Sequence, residues 1–498
     1  MSLAQRELDA SFKQVLANGL HGVAFENHLA LCAALGRPIE AYRTLRLRCD
    51  APGADPDDWF DWFNATTAAF NAALVDEVLS CGARVDRAME VPADILVANA
   101  GMVALFQSFH GASDQGQLEA SQRRYAERLR AHPALSAVEP FQPRRARSPN
   151  EPARIGYLWD FFGGGVEFCL PKHHDRRKCQ VIGIGTMIPG VTAEEMGFDQ
   201  FVGHDGRGLA QSVAAARALD LDLLIDLNGR GGSWRSDLLV EARVAPLQAA
   251  YGNFFCSTFS PATDALIGDK AILAGLVGRT TESLIPIEEP IMAVRNRSFV
   301  AHSEQRGAPP RPFEHRIGTT GNFWKISDDL IRLIVRVLQA KPNCSFFYAS
   351  IPSREHVGRL KDRFLAFGAN ESQIELFPSS KIDYVSSINA IDAAIDSIPY
   401  NGHLSTTEFL SMGCPVWSLS GNRLSQRYGR MILGQAELQE YLFDDADALI
   451  AAFTQRLTVR TAESSAPISG KLAESRLWDP SRATMLMERA IAKLRLSG

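Results

Sequence analysis

The spacing of apolar positions changes character twice along this chain. From residue 1 to about 132 it is helical throughout. Ala30–Leu35 is a short apolar run, Ala68–Leu79 carries apolar residues three and four apart, and Gln122–Leu129 is a charged helix ending before Pro133. Trp59, Phe60, Trp62 and Phe63 cluster after the turn-rich stretch Ala51–Asp58 and are expected to form the core of a small helical domain. No repeat period is evident there. Glu139–Pro152, rich in Pro and Arg, has the composition of a linker.

Beyond the linker, strands alternate with helices. Arg154–Trp159 predicts a strand, followed by the turn Phe162-Gly-Gly-Gly165, where backbone can approach a ligand closely. Lys178–Ile184 predicts a second strand and Gly208–Leu219 a helix, with further segments at Leu221–Gly229, Arg243–Tyr251 and Ala265–Asp269. That alternation indicates a parallel sheet covered on both faces. A Pro/Arg-rich break, Arg306–Arg316, leads to a second α/β half. There Ile317–Lys325 runs into a helix with Ser327 as N-cap, Asp328 and Asp329 in its first turn, and Leu330, Ile331, Ile334 and Leu338 as its buried stripe. Strands at Ser345–Ser350 and Ile374–Phe377 precede a largely apolar run, Ile388–Ile398, which predicts a buried strand. The turn and short helix of Tyr400–Pro415 follow, then a strand at Val416–Leu419, and an amphipathic helix over Ser481–Leu494 closes the chain. The expected organisation is a helical domain over 1–138 and two open-sheet halves over 153–300 and 312–498, with a cleft between them at the carboxyl ends of both sets of strands.

Composition narrows the class. At 498 residues the chain is too long for one ordinary core. Its hydrophobic fraction of 46% and charged fraction of 22% suit a soluble globular protein. A net charge of −5 gives no reason to expect nucleic acid as a partner. The eight cysteines form no C-x-x-C pair and no metal-ligand rhythm, so they are expected to be buried thiols in a reducing compartment. No signal core and no membrane-length apolar run is present, and the expected location is the cytoplasm.

The chemistry concentrates in the second half. A strand–turn–helix unit points the free amides of the helix N-terminus at whatever lies above the sheet, which is a phosphate site. Ser405, Thr406 and Thr407 add hydroxyls at that turn, His403 lies within it, and Glu408 sits about one turn into the helix, in reach of a sugar hydroxyl. Asn322 and Lys325 occupy a loop between a strand and a helix, where a lysine meets a diphosphate as a compact cation. Lys381 follows another strand in Pro378-Ser-Ser-Lys381. Strand ends of one sheet face one cleft, so these positions are expected to act together. There is no Walker-type loop, which argues against ATP hydrolysis.

Residues from about 154 to 495 resemble the catalytic region of the SPINDLY-like O-linked N-acetylglucosamine transferases. The resemblance rests on Asp222-Leu-Leu-Ile-Asp-Leu-Asn-Gly229, Arg243-Val-Ala-Pro-Leu-Gln248, Gly321-Asn-Phe-Trp-Lys-Ile-Ser327, Ala394–Gly402 with Glu408 and Met412-Gly-Cys-Pro415, and Ser425-Gln-Arg-Tyr-Gly429. It implies two Rossmann-like domains in the GT-B glycosyltransferase arrangement, a UDP-sugar donor (typically UDP-GlcNAc), and inverting transfer to Ser/Thr hydroxyls of a protein acceptor. It implies no cofactor beyond the donor and no metal. Position by position, Lys325 would meet the donor diphosphate with Asn322 nearby. Lys381 would contact the nucleotide, and His403, Leu404 and Ser405 would form the turn that holds the phosphates. Glu408 would accept hydrogen bonds from the uridine ribose.

The chain also departs from that pattern. Gly165 stands where the family has a histidine, Phe255-Cys-Ser-Thr-Phe259 replaces a Pro-Gly-Thr-Ser-Gly loop, and Leu404 replaces a hydroxyl residue. These changes fall mostly on the sugar and acceptor side. Alternatives therefore stay open: transfer of glucose or another sugar to Asn or a non-protein acceptor, or a non-catalytic nucleotide-sugar binder or scaffold. Asp222 is expected to be a strand residue rather than a base, and no general base is identifiable.

Overall fold

The computed structural model describes every residue except 1–2, 19, 21, 53, 56–57, 111–114, 144–150, 163–165, 204–206, 231, 253–255, 293, 297–308 and 498. The Phe162–Gly165 turn, the linker and the break between the halves therefore lie partly outside the described residues.

Among the described residues fifteen strands build the two halves. The first contains β1 (Ala153–Phe162), β2 (Val166–Phe168), β3 (Cys179–Met187), β4 (Gln200–Gly203), β5 (Leu223–Asp226), β6 (Leu247–Tyr251), β7 (Ala265–Asp269), β8 (Ser283–Ile287) and β9 (Val294–Asn296). The second contains β10 (His315–Thr319), β11 (Cys344–Ile351), β12 (Ile374–Pro378), β13 (Ala393–Ile395), β14 (Val416–Leu419) and β15 (Leu442–Phe443). The larger sheet runs β4-β3-β1-β5-β6-β7-β8 and the other β12-β11-β10-β13-β14-β15, each parallel throughout, while β2 and β9 form a small antiparallel pair. Successive strand residues serve opposite faces, as a pleat requires. Phe346 packs with the helix Asp328–Ala340, while Phe347 packs with Ile388, Phe409 and Leu410 on the other side.

Local chemistry explains the elements that position the cleft. Ser327 caps the helix Asp328–Ala340, accepting from Leu330 N at 3.1 Å, and the expected stripe of Leu330, Ile331, Ile334 and Leu338 is buried. The run Ile388–Ile398 is not one strand. Asp383 caps a helix over Tyr384–Asn389, accepting from Ser386 N at 2.8 Å, so Ile388 is helical and only Ala393–Ile395 pairs as β13. Ala68–Leu79 is likewise divided. One helix ends at Asn71 and the next starts at Val75, with Ala73 between them in the left-handed region (φ 54°). Of the aromatic cluster, Trp62 enters the core, whereas Phe60 is 51% exposed because Asp58 caps the helix at a phase that turns it outward.

The helical region does not stand apart. Val15, Phe25, Trp62, Val78 and Phe106 share one continuous core with Ile317, Ile331, Phe346 and Trp417 of the second half. His356 meets Asn71 O at 3.3 Å, and Phe70 stacks on Trp324 at 6.2 Å. The closing helix, Pro480–Ser497, crosses to the first half, where Leu486, Met487, Ile491 and Leu494 pack under β1, β5 and β7. Arg482 pairs with Glu289, and Lys493 with Glu288, at its edge. No helix among the described residues is long and apolar enough to cross a membrane. All eight cysteines are buried free thiols.

Candidate functional site

In the second sheet the strand order changes direction between β10 and β13, and at such a point the two following loops part to leave a crevice. The loop after β10 carries Thr320–Lys325, and the loop after β13 carries Asp396–His403. Asp396, fully buried, stitches them together. Its Oδ1 accepts from Thr320 Oγ1 at 2.5 Å and Gly402 N at 2.8 Å, and its Oδ2 accepts from Ser418 Oγ at 2.8 Å. Burial pushes this carboxyl's pKa up, and these hydrogen bonds oppose the shift. Gly402 is required by space: a Cβ there would lie 2.5 Å from Thr406 Oγ1 and 2.8 Å from both Ser405 Oγ and Thr320 Oγ1. The helix Leu404–Ser411 starts immediately after, with His403 at its N-cap and no side-chain cap on its amides. Its first turn is thus open to an anion.

A cavity of about 490 Å³ lies over this crevice, between the two halves. Asn322, Lys325, His403, Leu404, Ser405 and Glu408 all line it. Lys325 Nζ lies 3.9 Å from the centroid of the Tyr400 ring and 5.9 Å from that of Phe109, which reaches in from the helical region. Among the described residues no carboxylate pairs with it within 4.0 Å. Burial lowers its pKa to about 8, with Asp396 pulling the other way. Burial, reinforced by the Lys325 charge, lowers His403 to about 4, so its imidazole is neutral near pH 7. Glu408, 5% exposed, accepts from Tyr384 Oη at 2.7 Å. Two expected residues are placed elsewhere. Thr406 is buried behind the loop, outside the cavity wall, and its Oγ1 has no hydrogen-bond partner among the described residues. Lys381 stands exposed on the turn after β12 and is not brought into the wall.

The opposite wall comes from the first half: Trp159, Leu227, Tyr251, Ile267, Asp269 and Ile272. Asp222, expected as a buried strand residue, instead lies half-buried just before β5, at the amino end of that strand, and accepts from Arg154 N at 2.7 Å. The departure at Gly165 lies outside the described residues. The other replaced loop turns inward: Ser257 donates to Glu282 at 2.6 Å, Thr258 donates to the same carboxylate, and Arg123 covers the Phe259 ring at 3.9 Å. Its described residues, 256–259, do not line the cavity. Among the described residues the one group with metal-ligand proximity is His174, Cys179 and Glu488, away from this cavity. Both ring nitrogens of His174 are already engaged, by Tyr157 Oη at 2.8 Å and Glu488 at 2.9 Å.

Sequence reasoning missed Asp396, Tyr384, Asp269 and Phe109. For Asp396 a signal existed, since a carboxylate inside an apolar run demands buried partners. For the others the juxtaposition is tertiary.

No family model matches the chain. Two relatives, each named as a probable UDP-N-acetylglucosamine–peptide N-acetylglucosaminyltransferase SPINDLY, come from Hordeum vulgare and Arabidopsis thaliana. The first is 23% identical over 327 residues, covering 61% of this chain and 34% of the relative. The second is 22% identical over 346 residues, covering 64% and 36%. The chain thus spans about a third of the length of the curated relatives it matches. A solved mutant of the Thermobaculum terrenum O-GlcNAc transferase superposes with a TM-score of 0.77, covering 99% of this chain and 94% of that one at 19% identity. That likeness establishes the fold, with the two facing parallel-sheet halves in the GT-B arrangement.

Proposed function

We propose, for a chain whose catalytic region belongs with the SPINDLY-like O-GlcNAc transferases, that it is an inverting glycosyltransferase moving GlcNAc from UDP-GlcNAc to Ser/Thr hydroxyls of a protein acceptor. One observation carries this reading: the Lys325 ammonium and the uncapped first turn of the helix Leu404–Ser411 line the same cavity, at the point where the strand order reverses. Breaking the sugar–phosphate bond leaves negative charge on departing UDP. A fixed cation and helix amides stabilise charge that develops there, without reorganising as it does so. His403, neutral near pH 7, supplies hydrogen bonding beside them without adding charge. In this reading Glu408, whose carboxylate accepts from Tyr384, takes the ribose hydroxyls, and Asn322 stands on the rim. Lys381 is assigned no contact. Leaving-group stabilisation in this scheme calls on the chain's own groups and on no metal.

The test has two arms. UDP-, GDP- and TDP-sugars are screened for a rise in melting temperature, since a ligand bound only by the native state stabilises it. Radiolabelled sugar transfer from the stabilising donor to protein is then measured. Stabilisation by UDP-GlcNAc with transfer to hydroxyl side chains is expected. Tight UDP binding without turnover would make the chain a binder and reject the enzymatic reading.

A further inference from the structure

Inverting displacement puts the acceptor hydroxyl and the departing diphosphate on opposite faces of the sugar. The groups suited to the diphosphate all come from the second half, so the acceptor's proton must be taken from the first-half side. Among the described residues two carboxylates line the cavity, Glu408 and Asp269. Glu408 belongs to the second half and is engaged by Tyr384. Asp269 is the last residue of β7, at the carboxyl end of the first sheet, and is 7% exposed. Its Oδ1 accepts from Ala271 N at 2.7 Å and Ile272 N at 3.3 Å, which fixes the side chain. Its Oδ2 accepts no hydrogen bond from any described residue.

We propose that Asp269 is the general base of the transfer, taking the acceptor's proton on Oδ2. This assignment rests on the UDP-sugar reading above. In the step, the acceptor Oγ bonds to the anomeric carbon as the bond from that carbon to the β-phosphate oxygen breaks. The electron pair of that bond leaves with UDP, and the hydroxyl proton passes to Asp269. Burial in the wall raises the carboxyl above its ordinary range, towards the pH at which a base works best, while the two amides restrain the shift. The titratable and charged groups around it are Lys270 on its own helix, Tyr251 from β6, Glu288 past β8, and Arg427, Tyr428 and Arg430 from the segment packed on that helix. Arg427 is committed to Ala271 O at 2.5 Å, and none of these groups bonds to Oδ2.

Asp269→Asn keeps an oxygen for the two amides and removes the base; Asp269→Ser, also a good N-cap, is the second variant should the first fold poorly. In the full chain, kcat should fall by about 10²–10⁴-fold, the usual contribution of a positioned base. The KM for UDP-GlcNAc and the thermal stabilisation by UDP should stay within about twofold, because the diphosphate groups are untouched. The acid limb of the kcat/KM–pH profile should vanish, which a purely structural capping role would not cause. Variants that transfer within about threefold of the natural chain, or that keep the acid limb, overturn the assignment alone. A natural chain stabilised by no UDP-sugar overturns the donor reading and this assignment with it.

Discussion

Replacing Lys325 tests the proposed donor site most directly. In Lys325→Met most of the aliphatic stem is kept, while the ammonium that lies over Tyr400 and near Phe109 is lost. A unit charge about 4 Å from a phosphate oxygen, at an effective dielectric constant of about 20, contributes about 4 kcal/mol. Removing one preorganised group of this kind elsewhere costs about 2.7–4 kcal/mol, or 10²–10³-fold in kcat. The two figures agree, and because the diphosphate gains charge as it departs, most of the loss should fall on kcat rather than on the KM for the donor. The free enzyme gives a second handle. With Lys325 lowered to about 8, its charge is present below that pH and is lost as pH rises through it. The kcat/KM for UDP-GlcNAc should therefore decline above about pH 8, whereas in kcat the limb should move higher, since bound diphosphate favours the protonated amine. His403, lowered to about 4, adds no limb between pH 5 and 9. Initial rates of radiolabel transfer over pH 5–10, with melting temperature as the check on folding, decide the matter. A folded Lys325→Met variant within threefold of the natural kcat would refute the reasoning, as would an alkaline limb that survives the substitution.

Three further perturbations probe the surroundings. Phe109→Ala removes one aromatic face from beside the Lys325 ammonium; at about 0.5–2 kcal/mol for a cation–π contact, kcat/KM should drop roughly 2–30-fold, measured by the same assay. Gly402→Ala forces a Cβ to within 2.5 Å of Thr406 Oγ1, and the overpacked loop should lose about 1–3 kcal/mol of stability along with UDP-induced stabilisation, read by thermal denaturation. Arg316→Met strands the Glu375 carboxylate, its partner at 2.6 Å; a loss of about 3–5 kcal/mol in chemical denaturation is expected, with UDP affinity unchanged in the folded fraction.

Much of the second half was legible because its signals are local. Ser327 before two aspartates and the turn before Leu404 each announce themselves within a few residues. Lys325, His403, Ser405 and Glu408 followed from the rule that strand ends of one sheet share a crevice, and all four line it. The apolar run Ile388–Ile398 misled because a helix end and a strand, both buried, look alike without periodicity to separate them. Asp269 was visible only as the end of a strand, and Phe109 carried no signal of its own within the helical stretch from residue 1 to about 132. Their place opposite or beside Lys325 depends on how three bodies pack, which no short window of sequence encodes.

The two ends of the chain are fastened crosswise: the opening helices to the far half, the closing helix to the near one. Each end thus acts as a strap across the cavity, and the two halves can part only as far as both straps yield. A version trimmed to begin near residue 150 would bare Trp324 and His356, which Phe70 and Asn71 meet, and should precipitate instead of folding as a smaller unit.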